Sequence, residues 1–141
     1  MAALTVTTTV VKSPNAQISS GVLGSAVTAT AGQYVYVDTS ASPNVLRLSV
    51  ANSTAAAAVC NGVLLTGGTA GQTVLYETAD PVLIPGITGM TTGSPVYIST
   101  TAGSITSTSA DLSSGNYKTI VGQITAATTI NFAPMTPVLL P

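Results

Sequence analysis

The sequence predicts an all-β fold: a compact β-sandwich or β-barrel of short strands, carrying extended N- and C-terminal arms. Three observations lead there. β-Branched and apolar residues recur in short runs, Gly, Pro, Asn and Ser punctuate almost every gap between them, and no stretch is long enough for three turns of helix. At 141 residues the chain has material for one domain with its own core.

Residues 1–12 read as an N-terminal β arm. Leu4, Val6, Thr8 and Val10 alternate with Thr5, Thr7, Thr9 and Val11, the pattern of a strand able to pair with an exposed edge on another subunit or partner. Leu4, Val6 and Val10 are its candidate contact residues. The arm has no basic n-region and its apolar residues are interrupted by threonines, so it does not read as a secretory signal. A β-rich body follows over residues 13–133, with strand candidates at 27–30, 34–38, 45–50, 63–65, 74–78, 82–84, 96–100, 119–125 and 129–132. The one helix candidate is 53–59, an alanine run that Asn52 or Ser53 caps and Gly62 soon ends, too short to be more than a connector. Residues 134–141 form an extended, Pro-rich C-terminal tail. Pro134, Pro137 and Pro141 exclude a helix and any regular element of its own, so the tail must lie along something. Met135, Val138, Leu139 and Leu140 then become candidate binding residues, expected to reach an adjacent subunit or a partner in preference to covering the chain's own body.

An internal repeat organises the body. Thr30-Ala31-Gly32-Gln33-Tyr34-Val35-Tyr36-Val37-Asp38-Thr39 returns as Thr69-Ala70-Gly71-Gln72-Thr73-Val74-Leu75-Tyr76-Glu77-Thr78, with a fainter echo in Gly93-Ser94-Pro95-Val96-Tyr97-Ile98-Ser99-Thr100. Each unit is a turn followed by a strand. Period-2 alternation sets Val35, Val74 and Val96 on one face with Val37, Tyr76 and Ile98, and that face is expected to be core. Tyr36, Leu75 and Tyr97 fall on the opposite face, where three large side chains suggest a subunit contact or else amphipathic tyrosines on a wet surface.

Charge is scarce: Lys12, Arg47 and Lys118 against Asp38, Glu77, Asp80 and Asp111. No patch of that size neutralises several phosphates at once, so nucleic acid is not an expected partner. Weak charge also removes the repulsion that keeps copies apart, which favours close assembly of many subunits. Apolar residues make up 45% of the chain, yet they never form the run of about 18 that a membrane helix needs, so no membrane is expected either.

The chemistry-bearing residues point away from catalysis. With no histidine in the chain, a Ser or Cys nucleophile lacks its commonest base. Cys60, the only cysteine, is read as a small core residue in a protein made in a reducing cytoplasm, and one Cys without His makes no zinc site. Glu77 and Asp80 are close enough in sequence to form an acid–base pair, but a solvated turn explains them better. The segment Thr66-Gly67-Gly68-Thr69-Ala70-Gly71-Gln72-Thr73 falls short of a phosphate loop, since Thr66 stands where the first Gly belongs and Gln72 replaces the lysine. No enzyme activity, metal or cofactor is expected.

The order of these segments resembles a family of small bacteriophage capsid decoration, or head cement, proteins. The resemblance rests on Ala31-Gly32-Gln33-Tyr34-Val35-Tyr36, the alanines at 55–58 leading to Gly62-Val63-Leu64-Leu65, Ala70-Gly71-Gln72, and Gly93-Ser94-Pro95-Val96-Tyr97-Ile98-Ser99. It continues through Thr101-Ala102-Gly103-Ser104-Ile105, Asp111-Leu112 and Val121-Gly122-Gln123-Ile124. It runs from about residue 4 to residue 132, with Leu64 in place of the family's Ala and Gln123-Ile124 in place of a smaller pair. The resemblance implies a β-rich homo-oligomer, most often a trimer, on the outer surface of the virion's capsid, where it binds the major capsid protein and bridges neighbouring subunits. Related turn–strand modules are similar to parts of phage fibre and tail proteins, so the alternative is a fibre or spike knob that binds a host receptor. The absence of Trp, with only five Tyr and one Phe, argues against the aromatic pocket such a tip presents.

Overall fold

A computed structural model describes residues 3–141; Met1 and Ala2, the start of the expected arm, lie outside the described residues. The chain is nearly all-β and folds as a curled, half-barrel antiparallel sheet. Its strands are β1 (Gln17–Val22), β2 (Thr28–Ala29), β3 (Tyr34–Asp38), β4 (Val45–Leu48), β5 (Gly62–Leu64), β6 (Gly68–Thr69) and β7 (Thr73–Leu83). There follow β8 (Pro95–Ile98), β9 (Ile105–Thr106), β10 (Tyr117–Lys118), β11 (Ile120–Ala126), β12 (Thr129–Phe132) and β13 (Val138–Leu139). The two strands expected at 74–78 and 82–84 are one. β7 pairs with β1 as far as Ala79 and with β12 at Asp80 and Leu83, and Pro81 falls at the register shift between those last two pairs, where no ladder donor is needed.

The main sheet runs β4-β3-β5-β7-β12-β11-β8-β9, with β1 also on β7. Its first half curls until Leu23, just past β1, bridges Leu46 of β4, and Gly24 N–H donates to the Leu46 carbonyl at 2.9 Å. Gly21 permits the closure, because a Cβ there would lie 2.8 Å from the Leu46 side chain. Inside the curl sit Leu23, Val35, Leu46, Leu64, Val74 and Tyr76. A second, larger core lies on the other side of β3 and β5: Tyr34, Val63, Leu83, Val96, Ile98, Ile105, Val121, Ile124, Ile130 and Phe132 among others, with Tyr34 tilted against Phe132 at 5.9 Å. Tyr34 and Val35, like Val63 and Leu64, are sequence neighbours in different cores. The expected single core face is therefore split: Val35, Val74 and Tyr76 line one core, Val96 and Ile98 the other, and Val37 is half-buried at the rim of the first.

The repeated turn has a common construction. Thr30-Ala31-Gly32-Gln33, Thr69-Ala70-Gly71-Gln72, Thr91-Thr92-Gly93-Ser94, Thr101-Ala102-Gly103-Ser104 and Ser113-Ser114-Gly115-Asn116 each close with the fourth N–H donating to the first carbonyl, and each third-position glycine has a φ between 76° and 92°. At Gln33, Gln72 and Asn116 the side-chain oxygen also accepts from the first residue's N–H, at 2.8–2.9 Å. The glutamines of the repeat are turn locks. The expected helix at 53–59 does not form: Thr54 caps a single turn, accepting from Ala57 N–H on its hydroxyl and from Ala58 N–H on its carbonyl. A helix any longer would run into Cys60, which the second core holds.

Gly62 is the tightest point between the cores. A Cβ there would lie 2.3 Å from the Tyr76 ring and 2.6 Å from the Glu77 carbonyl oxygen, and a carbonyl in a paired strand has no freedom to retreat. Gly62→Ala is expected to lower unfolding free energy by about 3 kcal/mol, read as a fall in urea midpoint at unchanged slope. A midpoint equal to that of the unaltered protein would show that β5 and β7 are not packed this closely.

Candidate functional site

The arm lies across its own body and is not a strand. Leu4 N–H donates to the Ile105 carbonyl at 2.8 Å, Thr7 and Thr8 N–H both reach the Gly86 carbonyl at 2.7 and 3.1 Å, and Val11 exchanges two bonds with Ile84 at 2.9 and 3.0 Å. Ile105 belongs to β9, the last strand of the main sheet, but takes a single bond from the arm, while Gly86 lies in a bend and Ile84 in an isolated bridge, so the alternation at 4–11 does not produce a paired strand. Leu4 and Val10 pack half-buried on the larger core, while Val6 stays 40% exposed. Glycines make the bed: a Cβ on Gly86 would lie 2.4 Å from the Thr8 carbonyl oxygen, and one on Gly32 2.9 Å from Val10. A cavity of about 430 Å³ remains between residues 3–6 and the turns at 30–33 and 101–105.

The tail also folds back, contrary to the expectation that its prolines forbid a regular element. Val138–Leu139 pairs with Tyr117–Lys118, Met135 N–H donates to the Ile120 carbonyl at 2.8 Å, and Asn116 and Gly115 bond both backbone groups of Leu140. Pro137 and Pro141 flank the two-residue pairing and so remove no donor from it. Leu140 packs against the larger core. Met135, Val138 and Leu139 point outward, 61%, 62% and 56% exposed on a backbone that is held in place. Met135 also borders an open groove of about 310 Å³ lined with Pro95, Ile120, Gly122, Gln123, Asn131 and Ala133.

Tyr36, Leu75 and Tyr97 do not share a surface. Tyr97 is 7% exposed, buried in the larger core because that half of the sheet is covered on both faces, and Lys118 sits 5.1 Å over its ring. Tyr36 is half-buried opposite Arg47, which pairs with Asp38 at 2.8 Å. Leu75 alone is fully presented, at 45%. It lies across from Ser20, and its diagonal neighbours Ile18 and Val22 on β1 are also exposed, making an apolar stripe without a charge. Sequence reading missed the stripe because β1, Gln17-Ile18-Ser19-Ser20-Gly21-Val22, carries polar residues and a glycine; its signal was the spacing Ile18, Ser20, Val22.

The two neighbouring acids are buried, not solvated in a turn. Asp80 accepts from Ser13 N–H at 2.8 Å, from the Ser13 hydroxyl and from Val82 N–H at 2.9 Å. Glu77 is fully buried, close to the Asp80 carboxyl and with no other hydrogen-bond partner for its oxygens. Burial, then the charge of Asp80, pushes its carboxyl up to about 8. Cys60 is buried, its thiol directed at the Gly62 carbonyl at 3.7 Å, and burial pushes that thiol well up from its ordinary range. Among the described residues no three His, Cys, Asp or Glu converge as a metal cluster, and no helix is long and apolar enough to cross a membrane.

The chain matches no family model, and no curated protein matches it.

Glu77 makes stability depend on pH. Its folded pKa lies above the ordinary carboxylate value of 4.5, so the folded state holds a proton that the unfolded chain releases. The stability this brings is full below about pH 4.5 and is lost as pH rises to about 8. Glu77→Gln is expected to flatten that loss in urea titrations at successive pH values. An unaltered profile would mean that the carboxyl is ionised in the folded protein.

Proposed function

We propose that this chain is a non-enzymatic structural protein of a phage particle, a decoration protein that binds the outer capsid surface and bridges neighbouring subunits of the major capsid protein. The observation that carries this reading is the tail. Three large apolar side chains, Met135, Val138 and Leu139, are held in the open by a hydrogen-bonded backbone. Each forfeits roughly 1.5–3 kcal/mol of burial while it faces water. A flexible tail has its own ways to hide such residues; a pinned one presents them to a partner. The uncharged Ile18–Val22–Leu75 stripe supports self-association in the same way, and a homotrimer is the form the family resemblance favours. Several weak apolar contacts made by one oligomer suffice together, because each contact after the first is intramolecular.

Attachment through apolar surface has two measurable consequences. Replacing Met135, Val138 and Leu139 together by Ser is expected to weaken co-sedimentation with capsids stripped of this protein by at least about 100-fold while leaving the β-type circular dichroism intact. Raising sodium chloride from about 0.05 to about 1 M is expected to change binding by the unaltered protein less than about threefold, since so few charges are available to screen. Full binding by the triple variant would reject the tail as the attachment surface. A collapse of binding in salt would show the contact to be ionic.

A further inference from the structure

We infer that the groove under the N-terminal arm also accepts the arm of a second copy, so that residues 3–12 exchange between neighbouring subunits. The groove is shaped for an extended segment. Gly32 and Gly86, both at positive φ, leave out the side chains that would strike Val10 and the Thr8 carbonyl, and the Ile105, Gly86 and Ile84 carbonyls offer acceptors along its length. These groups bind an arm equally well whichever chain supplies it, which is the condition for an exchange that gains or loses little in contacts.

The arm's hold on its own body is slight. Only Leu4 and Val10 of its apolar residues reach the core, Val6 and Val11 are 40% and 48% exposed, Thr5, Thr7, Thr8 and Thr9 face solvent, and the 430 Å³ cavity lies beside residues 3–6. Segments with so few buried contacts open locally at small cost. The departure point, by contrast, is fixed. Ser13 is tied to Asp80 by its backbone and hydroxyl, and Pro14 follows within the turn that Ala16 N–H closes on the Ser13 carbonyl at 3.2 Å. Ten extended residues span about 30 Å, enough to reach an adjacent body.

The tether gives the chain's own arm an advantage in dilute protein, so exchange is expected only when other contacts hold copies together. The uncharged Ile18–Val22–Leu75 stripe offers one such contact. The inference therefore rests on the oligomer in the proposed function, and not on the capsid.

Two variants test it, each made with Cys60→Ala: Val6→Cys, on the arm, and Ala31→Cys, beside Gly32 in the groove. Both positions are exposed, and a Cβ at Gly32 would lie 3.4 Å from Val6, so a short bismaleimide spans them when an arm is seated. The variants are mixed when dilute, concentrated together and cross-linked. Exchange predicts a covalent heterodimer whose yield rises with the oligomeric fraction measured by light scattering, while a double variant kept dilute links only within its own chain. An oligomer that yields no heterodimer overturns the inference, as does a protein that remains monomeric at every concentration. Heterodimer formation without capsid binding would sink the decoration reading and leave exchange standing. Capsid binding by an oligomer that yields no heterodimer would do the reverse.

Discussion

Where β3 and β5 pair, at Tyr34-Val35 and Gly62-Val63-Leu64, the sheet is buried on both faces, and the rest of the structure is arranged around that constraint. A strand with one wet face needs an apolar residue at every second position; these need one at each. Tyr34-Val35 and Val63-Leu64 supply them, sending one side chain into the curled half and the next into the larger core. Two cores then share one wall, and the wall has no slack. Gly62 is where this is felt, because Tyr76 of one core and the β7 backbone meet over a residue with no side chain. Glu77, on the same strand, is forced inside along with its apolar neighbours and keeps its proton as a result.

The strand runs and the turns between them were legible because both are local. Tyr34–Asp38 and Thr129–Phe132 form where alternation places them, and the Thr-Ala-Gly-Gln repeat marks turns that glycine at positive φ and a glutamine side chain close together. What was not legible depends on distant partners. Alternation places Tyr97 on the face opposite Val96, as expected, but says nothing of whether that face is wet, and here it is roofed by its own fold. The arm alternates like a strand yet makes only scattered bonds, one to Ile105 on the edge strand β9 and the rest to a bend and an isolated bridge. β1 was passed over because a strand whose face is largely in solvent does not need the apolar run that announces a buried one. For the candidate surface, the chemistry of Met135, Val138 and Leu139 was readable in advance. Their presentation on a pinned backbone was not, since it requires Tyr117 and Lys118, some twenty residues earlier, to lie alongside.

Scarcity of charge shapes both folding and surface. Turns that other proteins expose with Asp or Lys are closed here by neutral amides and hydroxyls, and the charges that remain are mostly committed: Arg47 to Asp38, Lys118 over Tyr97, Asp80 to Ser13. Hydrogen bonds from Ser40, then from Arg47, hold the Asp38 carboxyl below its usual range. Little net field is left to steer or repel another molecule, so approach of a second copy is limited by shape and by how much apolar surface is matched.

The same economy places the hinge of the arm and the buried acid in one circuit. Asp80 spends its acceptor capacity on Ser13 and Val82, and its charge is one of the reasons Glu77 stays protonated. Ionising Glu77 would put a second negative charge beside that of Asp80 in a buried wall, which is why its proton is held. Lys12, next to the Ser13 that Asp80 holds, offsets part of this by attraction to Glu77. The base of the arm and the buried acid therefore meet at one residue, Asp80, which anchors Ser13 by hydrogen bonds and raises the cost of ionising Glu77 by its charge.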